Sequence, residues 1–242
     1  MNAKADGPET TSDIRRAQIL AAAIEVIIER GFPETRISDV AARSGVSPAL
    51  VVYYFKTKAH LLSEAMRQSE NEWYAEISRR VSEVGPAAKR LQEIVAMTCL
   101  PSPTRYSAKQ NRTDESGLDD SWIVWLDLWS QALRDPHLRR VREEFDEHFR
   151  GTIREIVRDG IAAGEFLPIN GSDFAISYAA LLDGLAIQIT LNDPEVSPQK
   201  ALSLAMLNAS EQLGFVWEDV AQYPERTEMP DLPRPNSSSG PA

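Results

Sequence analysis

Along residues 14–30 the apolar positions Ile19, Ala23, Val26 and Ile27 recur at three- and four-residue steps, the period that lines one face of an α-helix. Gly31, directly after Arg30, is the residue type that most often ends such a helix. The same period predicts a second helix over Arg36–Ser44, with Thr35 as its N-cap and Gly45 as its stop. A third opens at Pro48 behind Ser47 and ends near Phe55. Serine offers a cap oxygen there, and proline suits a first turn whose amide needs no partner. Residues 56–83 read as one long helix with the stripe Leu62, Met66, Ser69, Trp73, Ile77 and Val81.

Past Gly85-Pro86 the pattern predicts helices at about 86–100, 120–134, 137–163, 172–191 and 198–213. Nowhere do apolar and polar residues alternate over a strand length, so the expected fold class is all-α. Pro101 to Gly117 is polar, carries two prolines and has no period, which predicts a loop. Residues 1–12 and 221–242, the latter ending in MPDLPRPNSSSGPA, have the composition of disordered tails.

Two short helices joined by Gly45-Val46-Ser47 fit the helix-turn-helix plan, in which glycine permits the reversal and the second helix enters the DNA major groove. Val40, Ala41, Val46 and Val51 would pack the pair together. Ser47, Pro48, Ala49, Leu50, Tyr53 and Tyr54 then remain for the outer surface, with small groups to meet bases and hydroxyls to meet phosphate. Thr35, Arg36 and Ser38, at the entry to the first helix of the pair, join the candidate DNA contacts. Lys58 adds charge at the start of the next helix, where the helix terminus also attracts phosphate. An ordinary helical hairpin with tyrosines in its core would show much of the same local pattern.

The residues RRAQILAAAIEVIIERGFPETRISDVAARSGVSPALVVYYFKTKAHLLSEAM, Arg15 to Met66, resemble the DNA-binding domain of the TetR family of bacterial transcriptional regulators throughout. The shared features include the Arg-Gly-Phe turn, Asp39-Val40-Ala41, Gly45-Val46-Ser47, Tyr54-Phe55 and Lys58 with Leu61-Leu62. Val52 departs from the tyrosine that members often carry, and the local pattern is instead similar to the branch typified by the choline-responsive repressor BetI. WIVWLDLWSQALRDPHLRR (Trp122 to Arg140) and YAALLDGLAIQITL (Tyr178 to Leu191) also resemble that branch. The resemblance implies an N-terminal three-helix helix-turn-helix domain over 13–60. It also implies a C-terminal helical domain over 61–220 that binds a small effector and dimerises. It implies a regulator of transcription, in its commonest form a repressor released from a palindromic operator.

Composition limits the alternatives. The formal net charge of −10 argues against wrapping a polyanion over the whole surface, yet residues 1–67 hold nine Lys or Arg against eight Asp or Glu. A local contact with double-stranded DNA is therefore compatible with an acidic chain. The apolar runs are interrupted by Glu25 and by Asp183-Gly184, so no membrane span is expected, and the first residues have no apolar signal core. A lone Cys99 excludes an internal disulfide and fits a cytoplasmic protein. His60, His137 and His148 fall at no metal-ligand spacing, and no Gly-rich phosphate loop occurs. Neither an enzyme, a metal site nor a cofactor is expected. The competing class is a helical adaptor that binds only protein.

The effector candidates are Trp122, Trp125 and Trp129 on one helical stripe and Phe145 and Phe149 on the next helix, with Asp127, Tyr178 and Asp183 as their polar neighbours. Such stripes serve equally as plain core or as the walls of a pocket for a mainly apolar molecule. If Asp127 or Asp183 turned inward, indoles and a carboxylate would suit an organic cation. Periodicity leaves a solvated or hydrogen-bonded role open for both. The helix over 172–191 is apolar nearly all round, which fits core on one side and a second subunit on the other, with Ala186 taken as a representative interface position.

Overall fold

The computed structural model describes residues 11–82, 85–100 and 121–217; the loop expected at 101–117 and the tail at 221–242 lie outside them. Among the described residues the chain forms α1 (Thr11–Arg30), α2 (Ile37–Ser44), α3 (Pro48–Phe55), α4 (Lys58–Ser82), α5 (Ala87–Cys99), α6 (Ser121–Ala132), α7 (Pro136–Ala162), α8 (Gly171–Thr190) and α9 (Pro198–Leu213), with no strand. Residues 11 and 12, expected in the N-terminal tail, instead belong to the first turn of α1.

Local chemistry sets the boundaries. Gly31 ends α1 in the left-handed region at φ +78, and Gly45 reverses the chain between α2 and α3 at φ +68. Ser47 caps α3 by accepting the Leu50 N–H at 3.2 Å. Two expectations need correction. Thr35 does not cap α2: Arg36 occupies that position in extended backbone, and the Asp39 carboxylate accepts the Arg36 N–H at 3.3 Å. Thr35 is 1% exposed and its hydroxyl donates to the Gly31 carbonyl at 2.8 Å, so it stitches the turn after α1. Nor does α4 begin at residue 56. Lys56 sits at φ +61, which breaks the helix, and Thr57 caps the new one by accepting the His60 N–H at 3.1 Å.

Two apolar clusters fill the interior. One joins α1, α2, α3 and the first half of α4 to Val124 and Leu128 of α6 and to Leu138, Val141 and Phe145 of α7. The other joins Tyr74 and Ile77 of α4 with α5, the second half of α7, α8 and α9. At about 1.5 Å per residue α4 is roughly 37 Å long, enough to serve both clusters. Packing runs across residue 60, from α1 to α6 and α7. Each fully buried leucine or isoleucine in this seam contributes about 1.5–3 kcal/mol relative to exposure.

Candidate DNA interface and effector cavity

At the head, α2 and α3 pack through Val40, Ala41 and Val51, leaving one face outward. Arg36, Ser38, Ser47, Pro48 and Ala49 are exposed, Leu50 is half-buried, and Tyr53 is 69% exposed. Tyr54 turns sideways: its ring packs against the head's core and its hydroxyl meets that of Ser12 at 3.2 Å. The Lys58 ammonium lies 5.4 Å from the Phe32 ring centroid and donates to the Pro33 carbonyl at 2.7 Å. Burial pulls its pKa below the usual lysine value. Thr35, buried under the turn, has no surface to offer DNA.

Lys56 was not expected at the interface. Its left-handed backbone projects an exposed side chain whose ammonium lies 5.3 Å from the centroid of the Tyr53 ring. Its position directly after the second helix of the pair was the available signal. Arg43 and Arg16 are occupied differently: Arg43 bridges Glu25 and Glu29, and Arg16 pairs with Glu64.

Within the body a cavity of about 240 Å³ opens among α1, α4, α5, α6, α7 and α8. Trp122, Trp125 and Trp129 all line it, and so do Phe145, Phe149 and Asp183. The rings pack edge-on, with Trp125 and Phe145 at 5.4 Å and 73° and Trp122 and Trp129 at 6.2 Å and 69°. The Trp122 indole N–H is satisfied by the Thr98 carbonyl at 3.2 Å. Trp73 of α4, not expected at the site, supplies a fourth indole, and Ile24 places the head's own first helix in the wall.

The charged side chains lining the cavity are Glu70, Arg142, Asp146, Arg150 and Asp183, and among them Asp146 pairs with Arg142 at 2.5 Å and Arg150 at 3.4 Å. The pattern Arg-x₃-Asp-x₃-Arg puts all three on one helical face and was readable in the sequence. Burial raises the Asp146 pKa despite both arginines. Asp183 makes no hydrogen bond or ion pair among the described residues. Its pKa rises to about 6, first through burial and then through repulsion from Asp146, with Arg142 and Arg150 opposing.

Two expected members lie elsewhere. Asp127 is about 200° around α6 from Trp125, the far side of the helix. There its Oδ2 accepts the Phe32 N–H at 2.7 Å. Tyr178 is buried between α8 and α9, where its hydroxyl donates to the Ala205 carbonyl at 3.0 Å and its ring stacks on Phe174. Ala186, 1% exposed, faces the subunit's own core. Leu204 and Leu207 are the exposed large apolar side chains of α9, and Ile176 of α8 is exposed at the cavity that it also lines. No group of three potential metal ligands occurs among the described residues, and no helix there is long and apolar enough to cross a membrane.

A helix-turn-helix on a helical body with a cavity is the arrangement of a DNA-binding regulator. Comparison with known proteins gives the class its family. Residues 19–65 match the bacterial regulatory proteins of the tetR family, and residues 109–213 match the C-terminal region of BetI-type transcriptional repressors. The HTH-type transcriptional regulator BetI of Burkholderia cenocepacia is 31% identical over 198 residues, covering 80% of this chain and 91% of that protein. The crystal structure of a putative transcriptional regulator from Saccharomonospora viridis in complex with choline aligns with TM-score 0.70 and 27% identity, covering 83% of this chain and 97% of that one. A putative TetR-family regulator from Rhodococcus sp. shares the fold at TM-score 0.67 and 24% identity, over 82% and 98% of the two chains. This chain belongs to the TetR family of bacterial transcriptional regulators and carries a BetI-type C-terminal region.

The Asp183 site has a pH signature. Its folded pKa, about 6, lies above the ordinary 3.8, so between these values the folded protein binds a proton that the unfolded chain has lost. This group's contribution to stability is therefore fully present below the window and falls as pH rises through it. Urea unfolding of the ligand-free protein on both sides of the window should show Asp183→Asn gaining about 1–3 kcal/mol on wild type as pH rises. A constant difference between the two proteins would contradict the placement of Asp183.

Proposed function

We propose that this protein is a homodimeric repressor that leaves its operator when a small organic cation fills the aromatic cavity. The observation that carries the reading is Asp183, a carboxylate with no partner among the described residues in a cavity walled by four indoles. Asp183 is half-buried, which penalises its charged form, and a cation held between it and the indole faces would offset that penalty through charge pairing and cation–π attraction. The choline complex of the similar Saccharomonospora viridis protein supports the same ligand class. Release follows by linkage: a ligand that binds the DNA-incompetent arrangement more tightly shifts the population by that difference alone.

On the DNA side, Pro48, Ala49, Leu50 and Tyr53 would face bases, while Arg36, Ser38, Ser47, Tyr54, Lys56 and Lys58 would meet phosphate. Lys58 reaches a phosphate only by exchanging or sharing its bond to the Pro33 carbonyl. Two-fold symmetry would come from the α9 face carrying Leu204 and Leu207, which a second copy would bury, and it would match a palindromic operator.

The test uses DNA fragments selected by the purified protein from its own genome, in mobility shifts with choline, tetramethylammonium and the neutral isostere 3,3-dimethylbutan-1-ol. The two cations should release DNA and the isostere should not, with Asp183→Asn weakening choline about tenfold or more. Equal action of choline and its isostere would leave only an apolar pocket. Lys56→Ala and Lys58→Ala should each lower the slope of log affinity against log salt by about one. An unchanged slope removes that lysine from the phosphate contacts. Sedimentation should find wild type dimeric and Leu204→Glu monomeric; a dimeric Leu204→Glu would place the interface on another face.

A further inference from the structure

The bond from the Asp127 carboxylate to the Phe32 amide, 2.7 Å long and spanning 95 residues of chain, joins the wall of the cavity to the turn that carries the reading head. We propose that Asp127 is the positioning residue through which cavity and head sense each other, with no part in holding the ligand. The inference rests on the cavity being the effector site. α6 has two working faces: Trp122, Trp125 and Trp129 line the cavity, and Asp127 on the opposite side grips the head. A ligand that displaces the indoles must displace this carboxylate too, because all four side chains share one short rigid helix.

The turn it grips is fastened to both DNA-facing elements. The Gly31 carbonyl accepts the Thr35 hydroxyl at 2.8 Å, one residue before the N-cap of α2. The Pro33 carbonyl accepts the Lys58 ammonium at 2.7 Å, at the first residue of α4. Phe32 itself is buried in the seam, so the turn cannot swing freely in solvent. At Gly31 the φ of +78 disfavours any other residue, although a Cβ there would make only ordinary van der Waals contact with Asp127 Oδ2. Displacement of α6 therefore reaches the start of α2 through one charge-assisted hydrogen bond and one serially bonded turn. Such bonds are directional and roughly twice as strong as neutral ones, which makes this contact a stiffer link than the surrounding apolar packing.

The experiment reads the link from both ends on the full chain. Tryptophan emission is followed as operator DNA saturates the protein without ligand, since Trp73, Trp122, Trp125 and Trp129 all line the cavity. The operator affinity is then measured with and without saturating choline. Asp127→Ala and the near-isosteric Asp127→Leu should lose the DNA-induced emission change. They should also reduce the choline effect on operator affinity about tenfold or more, while choline affinity and ligand-free operator affinity stay within about threefold. Asp127→Asn, whose amide oxygen can accept the same N–H, should keep both responses.

A folded Ala or Leu variant with the wild-type choline effect overturns the proposal. An Asn variant as deficient as Ala does so too, because the acceptor oxygen would then not be what matters. Absence of any DNA-induced emission change in wild type is equally fatal. If choline does not bind wild type, the cation reading falls and the ligand-free emission measurement decides on Asp127 alone.

Discussion

Everything in this protein hangs on the burial of α1 along most of its circumference. Ile19, Ala23, Val26 and Ile27 form the stripe expected of an amphipathic helix, but Leu20, Ala22, Ile24 and Ile28 are buried as well. One surface of the helix receives α2 and α4, which builds the head, and another receives α6, which belongs to the body. A helix buried on more than one side cannot be moved by one neighbour without disturbing the rest, because close-packed interiors transmit displacement rather than absorb it. The head is therefore not a bead on a string. Its core is partly made of Val124, Leu128, Leu138 and Val141, residues of the same two helices that wall the cavity.

Electrostatics divides the labour in a different way. The chain as a whole is strongly acidic, so nonspecific attraction to DNA is weak and affinity must come from a few cations at defined places. Several arginines near the head are committed to neighbours, as in the Arg43 bridges to Glu25 and Glu29 and the Arg16 bridge to Glu64. These partly exposed pairs contribute little stability but hold side chains in place. Lys56 and Lys58 flank the break between α3 and α4, where the chain changes direction beside the recognition helix. Inside the body Asp146 is held by Arg142 and Arg150, whose charge also reaches Asp183, but Asp183 makes no ion pair of its own among the described residues.

Much of this was legible in the sequence, for local reasons. Ser47, Pro48, Gly31 and Gly45 mark helix ends through the conformations and cap bonds those residue types favour, and each marks one here. Periodicity likewise placed Trp122, Trp125, Trp129, Phe145 and Phe149 on faces that converge. The failures are also local in origin. Thr35 looks like an N-cap because threonine commonly is one; the competing acceptor, the Gly31 carbonyl, becomes available only once that glycine turns left-handed. Lys56 looks helical from its neighbours, and nothing in its own residue type announces a positive φ. Tyr178 and Ala186 sit on an apolar helix whose inward and outward sides could not be told apart without knowing which neighbours cover it.

The two aspartates show where sequence reading reaches its physical limit. Asp127 and Asp183 are each embedded in an apolar helix next to aromatic residues, and either could have faced the cavity. Partial burial penalises a charged carboxylate, and what each meets in compensation depends on contacts far away along the chain. Asp127 meets a backbone amide 95 residues distant, which satisfies it and fixes it between two functional regions. Asp183 meets partial burial and then the repulsion of Asp146, which together raise its proton affinity, and it has no hydrogen-bond donor among the described residues. The same residue type thus serves as a mechanical link in one place and as an unfilled charge in the other. The helix face decides between them: two residues separate Asp127 from Trp125 and put it on the far side of α6, whereas Asp183 lies four residues from Ala179 and seven from Ile176, both of which line the cavity.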